Sequence, residues 1–224
     1  MDHKTKMVLT YLEHEVKKSI DKYYTLDCCI AATRIALDVL GHFEIPAMQL
    51  TTRVMICNGV YADWIMTHDK LPQGEEERNE AFANGGWGVG LGFPNPTVKP
   101  SKGKGFGGHL IAYLEEGYIV DLSLPQGTRP RHNIRLKPLV AKTQPNFLEE
   151  RMMCIRYPQR EGGDLLLHYT LIENEAYTQS IDWATDRRKV VSYPAISTID
   201  AMLRRGDGSQ PGGGQQEETP EAPA

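Results

Sequence analysis

Two short apolar runs, HLIAYL at 109–114 and YIVDLSL at 118–124, are separated only by Glu115, Glu116 and Gly117. So short a gap makes the runs return antiparallel as a β-hairpin, because a parallel return needs a crossover of a dozen residues or more. A lone hairpin is marginal in water, so this one needs further strands and a helix over its apolar face. The chain supplies both. MQLTTRVMICN (48–58) and DLLLHYTLIE (164–173) have the β-branched, partly alternating character of strands, and WGVGLGF (87–93) reads as a short glycine-rich strand.

Helical spacing appears at Leu9, Leu12, Val16, Ile20 and Tyr23, which predicts one amphipathic helix over about 4–23. A second pattern is sharper. Ala32, Ile35, Ala36, Val39, Leu40 and Phe43 form one face, Arg34, Asp38 and His42 form the other, Asp27 suits the N-cap, and Gly41 and Pro46 end the helix. GEEERNEAF (74–82) is a short surface helix or a loop, PNPTVKPSKGKGFGG (94–108) is a loop, and helical patterns recur over 175–184 and 195–205. The expected fold is α+β, an antiparallel sheet packed against the cysteine-bearing helix, in one domain over 1–205. Residues 206–224 lack apolar periodicity and read as a disordered tail.

A formal net charge of −4 offers no concentrated basic field to nucleic acid or to an anionic membrane, and no apolar run is long enough to span a bilayer. The start, MDHKTKMVLTYLEHEVKKSI, places charges where a signal peptide needs its apolar stretch, so a cytoplasmic protein is expected. Cys28, Cys29, Cys57 and Cys154 read as free thiols, and no C-x2-C pair marks a zinc site. No metal or cofactor is expected. GKGFGG lacks the lysine-serine or lysine-threonine ending of a phosphate-binding loop and its strand-to-helix context.

The cysteine doublet stands where the positive end of a helix lowers a thiol pKa, although cysteine at such a position also packs as a small hydrophobe. A thiol nucleophile needs a base. His109 opens the first hairpin strand and Asp121 lies on the return strand, so the hairpin brings them side by side; the carboxylate can then fix the imidazole while its other nitrogen faces a thiol. Asp121 sits among Tyr118, Ile119, Val120, Leu122 and Leu124, where an unpartnered charge would be costly. The remaining histidines fall in polar segments or, as His168 does, alternate within an apolar strand.

DCCIAATRIALDVLGHFEIPA, a strand, and then GGHLIAYLEEGYIVDLSLPQ together resemble the transglutaminase-like cysteine-protein superfamily, whose relatives include arylamine N-acetyltransferases and papain-like hydrolases. In that group a nucleophilic cysteine begins a helix ending in a turn like FEIPA, and histidine and aspartate follow on adjacent antiparallel strands. The resemblance covers about residues 25–126. It implies a transglutaminase-like, papain-like core with Cys29, His109 and Asp121 as triad; spacing back from Pro46 favours Cys29, with Cys28 as the alternative nucleophile. Ile111 in place of an aromatic residue, a short hairpin, and DLSLPQ in place of Asp-Pro-Thr set the chain on an outlying branch.

The implied activity is that of a thiol-dependent hydrolase or acyltransferase. Its substrate would be a peptide, a protein or a small acyl compound bearing an amide, isopeptide or thioester carbonyl, with peptidase or amidase chemistry favoured. The backbone N–H of Cys29 is the natural oxyanion donor, and Gln126, Asn58 and the Trp87 indole are candidates for a second. Arg131 belongs to a basic cluster, Arg129 to Lys137, suited to an anionic substrate group. The rival reading is a non-catalytic protein-binding module that keeps the fold.

Overall fold

The computed structural model describes residues 1–24, 28–93, 107–159, 163–173 and 185–207. Asp27, the helical pattern over 175–184 and the tail from 208 lie outside them.

The N-terminal stripe is divided between α1 (His3–His14) and α2 (Val16–Tyr23) rather than continuing as one helix. Asp2 caps α1 through its carboxylate, which accepts from the Thr5 N–H. Glu15, at φ −112° and ψ −35°, separates the two helices, and Leu9, Leu12, Val16 and Ile20 are all buried. The cysteine-bearing helix is α3 (Cys29–His42), and Cys28 occupies its N-cap position.

A turn leads into β1 (Ala47–Cys57), followed by α4 (Gly59–His68), α5 (Gly74–Phe82) and β2 (Gly88–Leu91). The predicted hairpin is β3 (His109–Leu114) and β4 (Tyr118–Asp121), in register with Ala112 opposite Val120. Then come β5 (Leu139–Lys142), α6 (Phe147–Glu150), β6 (Met152–Tyr157), β7 (Leu165–Leu171) and α7 (Thr185–Asp207). All pairings are antiparallel, in the order β5-β4-β3-β1-β7-β6 with β2 also on β1. The fold is thus α+β with an antiparallel sheet.

α4 is a helix that the polar look of 58–82 conceals, and it buries Tyr61, Ala62, Trp64 and Ile65 against Cys57. β5 and β6 also lack a counterpart in the sequence reading. Pro194 lies inside α7 instead of marking a start at 195. Its missing N–H costs one helical hydrogen bond, and burial of Val191, Ala195 and Ile199 on both sides of it outweighs that loss. α7 also continues to Asp207, two residues past the expected end of the domain at 205.

The sheet has apolar clusters on both faces. On one, Ala112, Leu114, Val120 and Leu122 pack with α1, α2, α3 and α7. On the other, Val54, Ile56, Ile111, Ile119, Leu167 and Tyr169 meet Leu124, Ile134, Leu136 and Phe147. The alternation of β3 and β4 follows from this: His109 shares the second face with Ile111, and Asp121 shares it with Ile119. The predicted polar face of α3 is partly an interface, since Asp38 pairs with Arg188 at 3.0 Å and His42 lies 3.4 Å from Asp200, both on α7. Among the described residues no helix is long and apolar enough to cross a membrane.

Gly92 follows β2 and lies against the start of β3. It adopts φ +76°, and a Cβ there would lie 2.5 Å from the His109 nitrogen and 2.9 Å from the Thr52 carbonyl oxygen. Gly92→Ala therefore combines left-handed strain with a backbone clash. It is expected to cost at least about 2 kcal/mol in urea unfolding, whereas Gly41→Ala, with open space at its Cβ position, should cost nothing.

Candidate active site

His109 is clamped through its backbone. The Thr52 hydroxyl donates to its carbonyl at 3.0 Å, and the Thr33 hydroxyl of α3 donates to the carbonyl of Leu110 at 2.9 Å. The second bond ties the cysteine-bearing helix to the histidine-bearing strand, and Leu110 packs directly on Cys29 and Ile30. Register places Asp121 diagonally from His109 on the same face, within reach of a side-chain contact. His109 Nε2 and Asp121 Oδ2 are 2.8 Å apart, both groups being buried.

The Asp121 carboxylate has further donors. Oδ1 accepts from the Ser123 N–H at 3.1 Å and from the Ser123 hydroxyl at 3.2 Å, and Oδ2 also accepts from the Tyr169 hydroxyl at 3.0 Å. A carboxylate without solvent access requires such partners. Burial, reinforced by the neighbouring Asp121 charge, pushes the Tyr169 phenol well above its ordinary value of 10, so it stays a donor. Tyr169 is absent from the sequence reading. Its only signal is a tyrosine on the inward phase of an apolar strand, where the hydroxyl needs a partner.

The Cys29 sulfur lies near enough to the His109 ring to help raise its pKa, and both residues line the same cavity. Burial alone would depress the His109 pKa, but the Asp121 charge and hydrogen bond, aided by Cys29, outweigh it and raise the pKa from 6.5 to about 10. The ring is therefore cationic at neutral pH. Cys29, the first residue of α3, is 8% exposed, and its N–H lies in the first turn, where the helix itself offers no acceptor.

Cys28 faces elsewhere. Its sulfur accepts from the Gln126 side-chain amide at 3.7 Å, and burial, only partly opposed by that bond, raises its pKa. Gln126 lines two cavities. One, about 500 Å³, is bounded by Cys29, Gly92, Phe93, His109 and Arg129; the other, about 260 Å³, by Lys17, Asp21, Tyr24, Cys28 and Ser123.

The remaining sequence candidates are placed differently. The Asn58 side-chain oxygen accepts from the N–H groups of Tyr61 and Trp87 and its amide donates to the Gly85 carbonyl, so it caps α4 and anchors the following loop. Trp87 packs on the second apolar cluster. Neither lines the Cys29 cavity. Arg131 is exposed in a short turn, and it is Arg129 that reaches the cavity wall. Among the described residues no group of three histidine, cysteine or acidic side chains is arranged to hold a metal.

Comparison of the chain with protein-family models, curated proteins and solved structures finds no match.

The proton on His109 links the site to stability. A histidine raised from 6.5 to about 10 on folding contributes stabilisation that is complete below about pH 6.5 and lost as the pH rises through about 10. Urea midpoints are expected to fall between pH 7 and pH 10.5, and to fall less steeply in Asp121→Asn, which lacks the carboxylate. Equal slopes in the two proteins would exclude Asp121 as the cause. Tyr169→Phe removes one bond to the same charge and should cost about 1.5–3 kcal/mol.

Proposed function

We propose that the chain is an outlying member of the transglutaminase-like, papain-like cysteine enzymes, and that it is a hydrolase or acyltransferase acting on an amide, isopeptide or thioester carbonyl. The observation that carries this reading is the buried His109–Asp121 pair, 2.8 Å apart, with Cys29 beside the same ring in one cavity lining.

In this mechanism His109 holds the proton taken from the Cys29 thiol, and the thiolate attacks the carbonyl carbon. A carbon–sulfur bond forms as the carbonyl electron pair moves to oxygen. The Cys29 N–H at the start of α3 and the Gln126 side-chain amide receive the oxyanion. As the tetrahedral intermediate collapses, His109 gives its proton to the departing amine or thiol, leaving an acyl-enzyme. Water or an amine then enters, loses its proton to His109 and takes the acyl group. Asp121 keeps the imidazole in the required tautomer and orientation throughout, itself held by Ser123 and Tyr169. Peptidase or amidase chemistry is favoured.

Alkylation by iodoacetamide at pH 6, followed peptide by peptide, tests the assignment. Burial raises the Cys28 thiol and pushes Cys57 up to about 12, and Cys154, an exposed residue, has a sulfur partly covered and likewise raised, so these three should react slowly. Cys29 should react at least tenfold faster than any of them, the advantage being lost in His109→Ala and kept in Cys28→Ala. Uniformly slow alkylation at all four cysteines would leave a binding module of the same fold as the better account.

A further inference from the structure

The Cys29 cavity carries a charge that the triad does not use. Among the described residues that line it, the ionisable side chains are Cys29, His109 and Arg129, and none is a carboxylate. His109 is balanced by Asp121 behind it. Arg129 has no such counterweight among the described residues. Its Nη1 donates to the backbone carbonyls of Gln126 at 2.8 Å and Thr128 at 2.9 Å, which fix the guanidinium without neutralising it.

The backbone at Arg129 is equally constrained. Its N–H donates to the Ile134 carbonyl at 3.0 Å and its carbonyl accepts from the Ile134 N–H at 3.1 Å, closing a tight loop around Pro130–His132. The cation is thus presented from a braced turn. Arg129 is itself exposed at the rim, and the wall beside it is formed by glycine backbone, Leu91 and Phe93. All this occurs in a chain of net charge −4.

We propose that this cavity selects an acyl substrate bearing an anionic group, a carboxylate or a phosphate, which Arg129 binds while the carbonyl meets Cys29. A planar guanidinium can grip either oxyanion with two hydrogen bonds. The proposal rests on the thiol-enzyme reading above and adds the substrate class to it.

Iodoacetate and iodoacetamide separate the two claims. Each alkylates the same sulfur, forming a carbon–sulfur bond and releasing iodide, but only iodoacetate carries a carboxylate. The iodoacetate-to-iodoacetamide rate ratio at Cys29 in the full chain should exceed the ratio at exposed Cys154. It should fall about fivefold in Arg129→Gln, remain largely intact in Arg129→Lys, and keep its wild-type value in Arg131→Gln. Inorganic phosphate and glutarate, added as competitors, should protect Cys29 in the wild type and not in Arg129→Gln, the better protector identifying the anion.

An unchanged ratio in Arg129→Gln overturns the inference, as does failure of both anions to protect. Equal losses in the Lys and Gln variants would trace the effect to the lost carbonyl contacts and overturn it as well. If Cys29 instead shows no advantage over Cys57 towards iodoacetamide, it is the thiol-enzyme reading that falls.

Discussion

A carboxylate removed from water organises this molecule. Asp121 could not be buried at the end of β4 without donors, and the four it has come from three separate places in the chain: His109 on β3, Ser123 two residues on, and Tyr169 on β7. Because β1 lies between β7 and β3, the Tyr169 bond spans the centre of the sheet. The charge is therefore satisfied only when the sheet is assembled in this order and register. Removing one partner of such a buried charge costs more than its contact is worth, because the charge remains.

The same carboxylate sets the electrostatics of the cavity. By holding His109 cationic it puts a positive group against the Cys29 sulfur, and because it is sealed behind the ring its own negative charge does not face the ligand space. Among the described lining residues, Arg129 is then the charged side chain without an acidic neighbour. Gly92 permits the close approach of β2 to His109, so backbone geometry, charge and access converge on one strand end.

What could be read from the sequence was local. The hairpin followed from a three-residue gap, α3 from its apolar spacing, and the proximity of His109 and Asp121 from antiparallel pairing alone. What escaped depended on contacts remote in sequence. Tyr169 is 48 residues from Asp121, and nothing in LLLHYTL indicates which polar group its hydroxyl meets. Asn58 reads as a polar residue near a strand end, and only the fold reveals it as the cap of α4. Choosing between Arg129 and Arg131, both exposed, required the conformation of the turn that separates them, since only Arg129 borders the cavity. The division at Glu15 and the continuation of α7 through Pro194 both followed tertiary burial in preference to local propensity.

The docking of α7 on α3 bears on how the protein is made. Residues 185–207 supply the pairs to Asp38 and His42 and the apolar contacts of Val191, Ala195 and Ile199, yet they follow α3 by more than a hundred positions in the chain. At ordinary ribosomal speeds that interval is on the order of ten seconds. Until it has passed, the nascent chain displays an oily helix flank with two cysteines at its tip, a surface for which chaperones and premature oxidation compete.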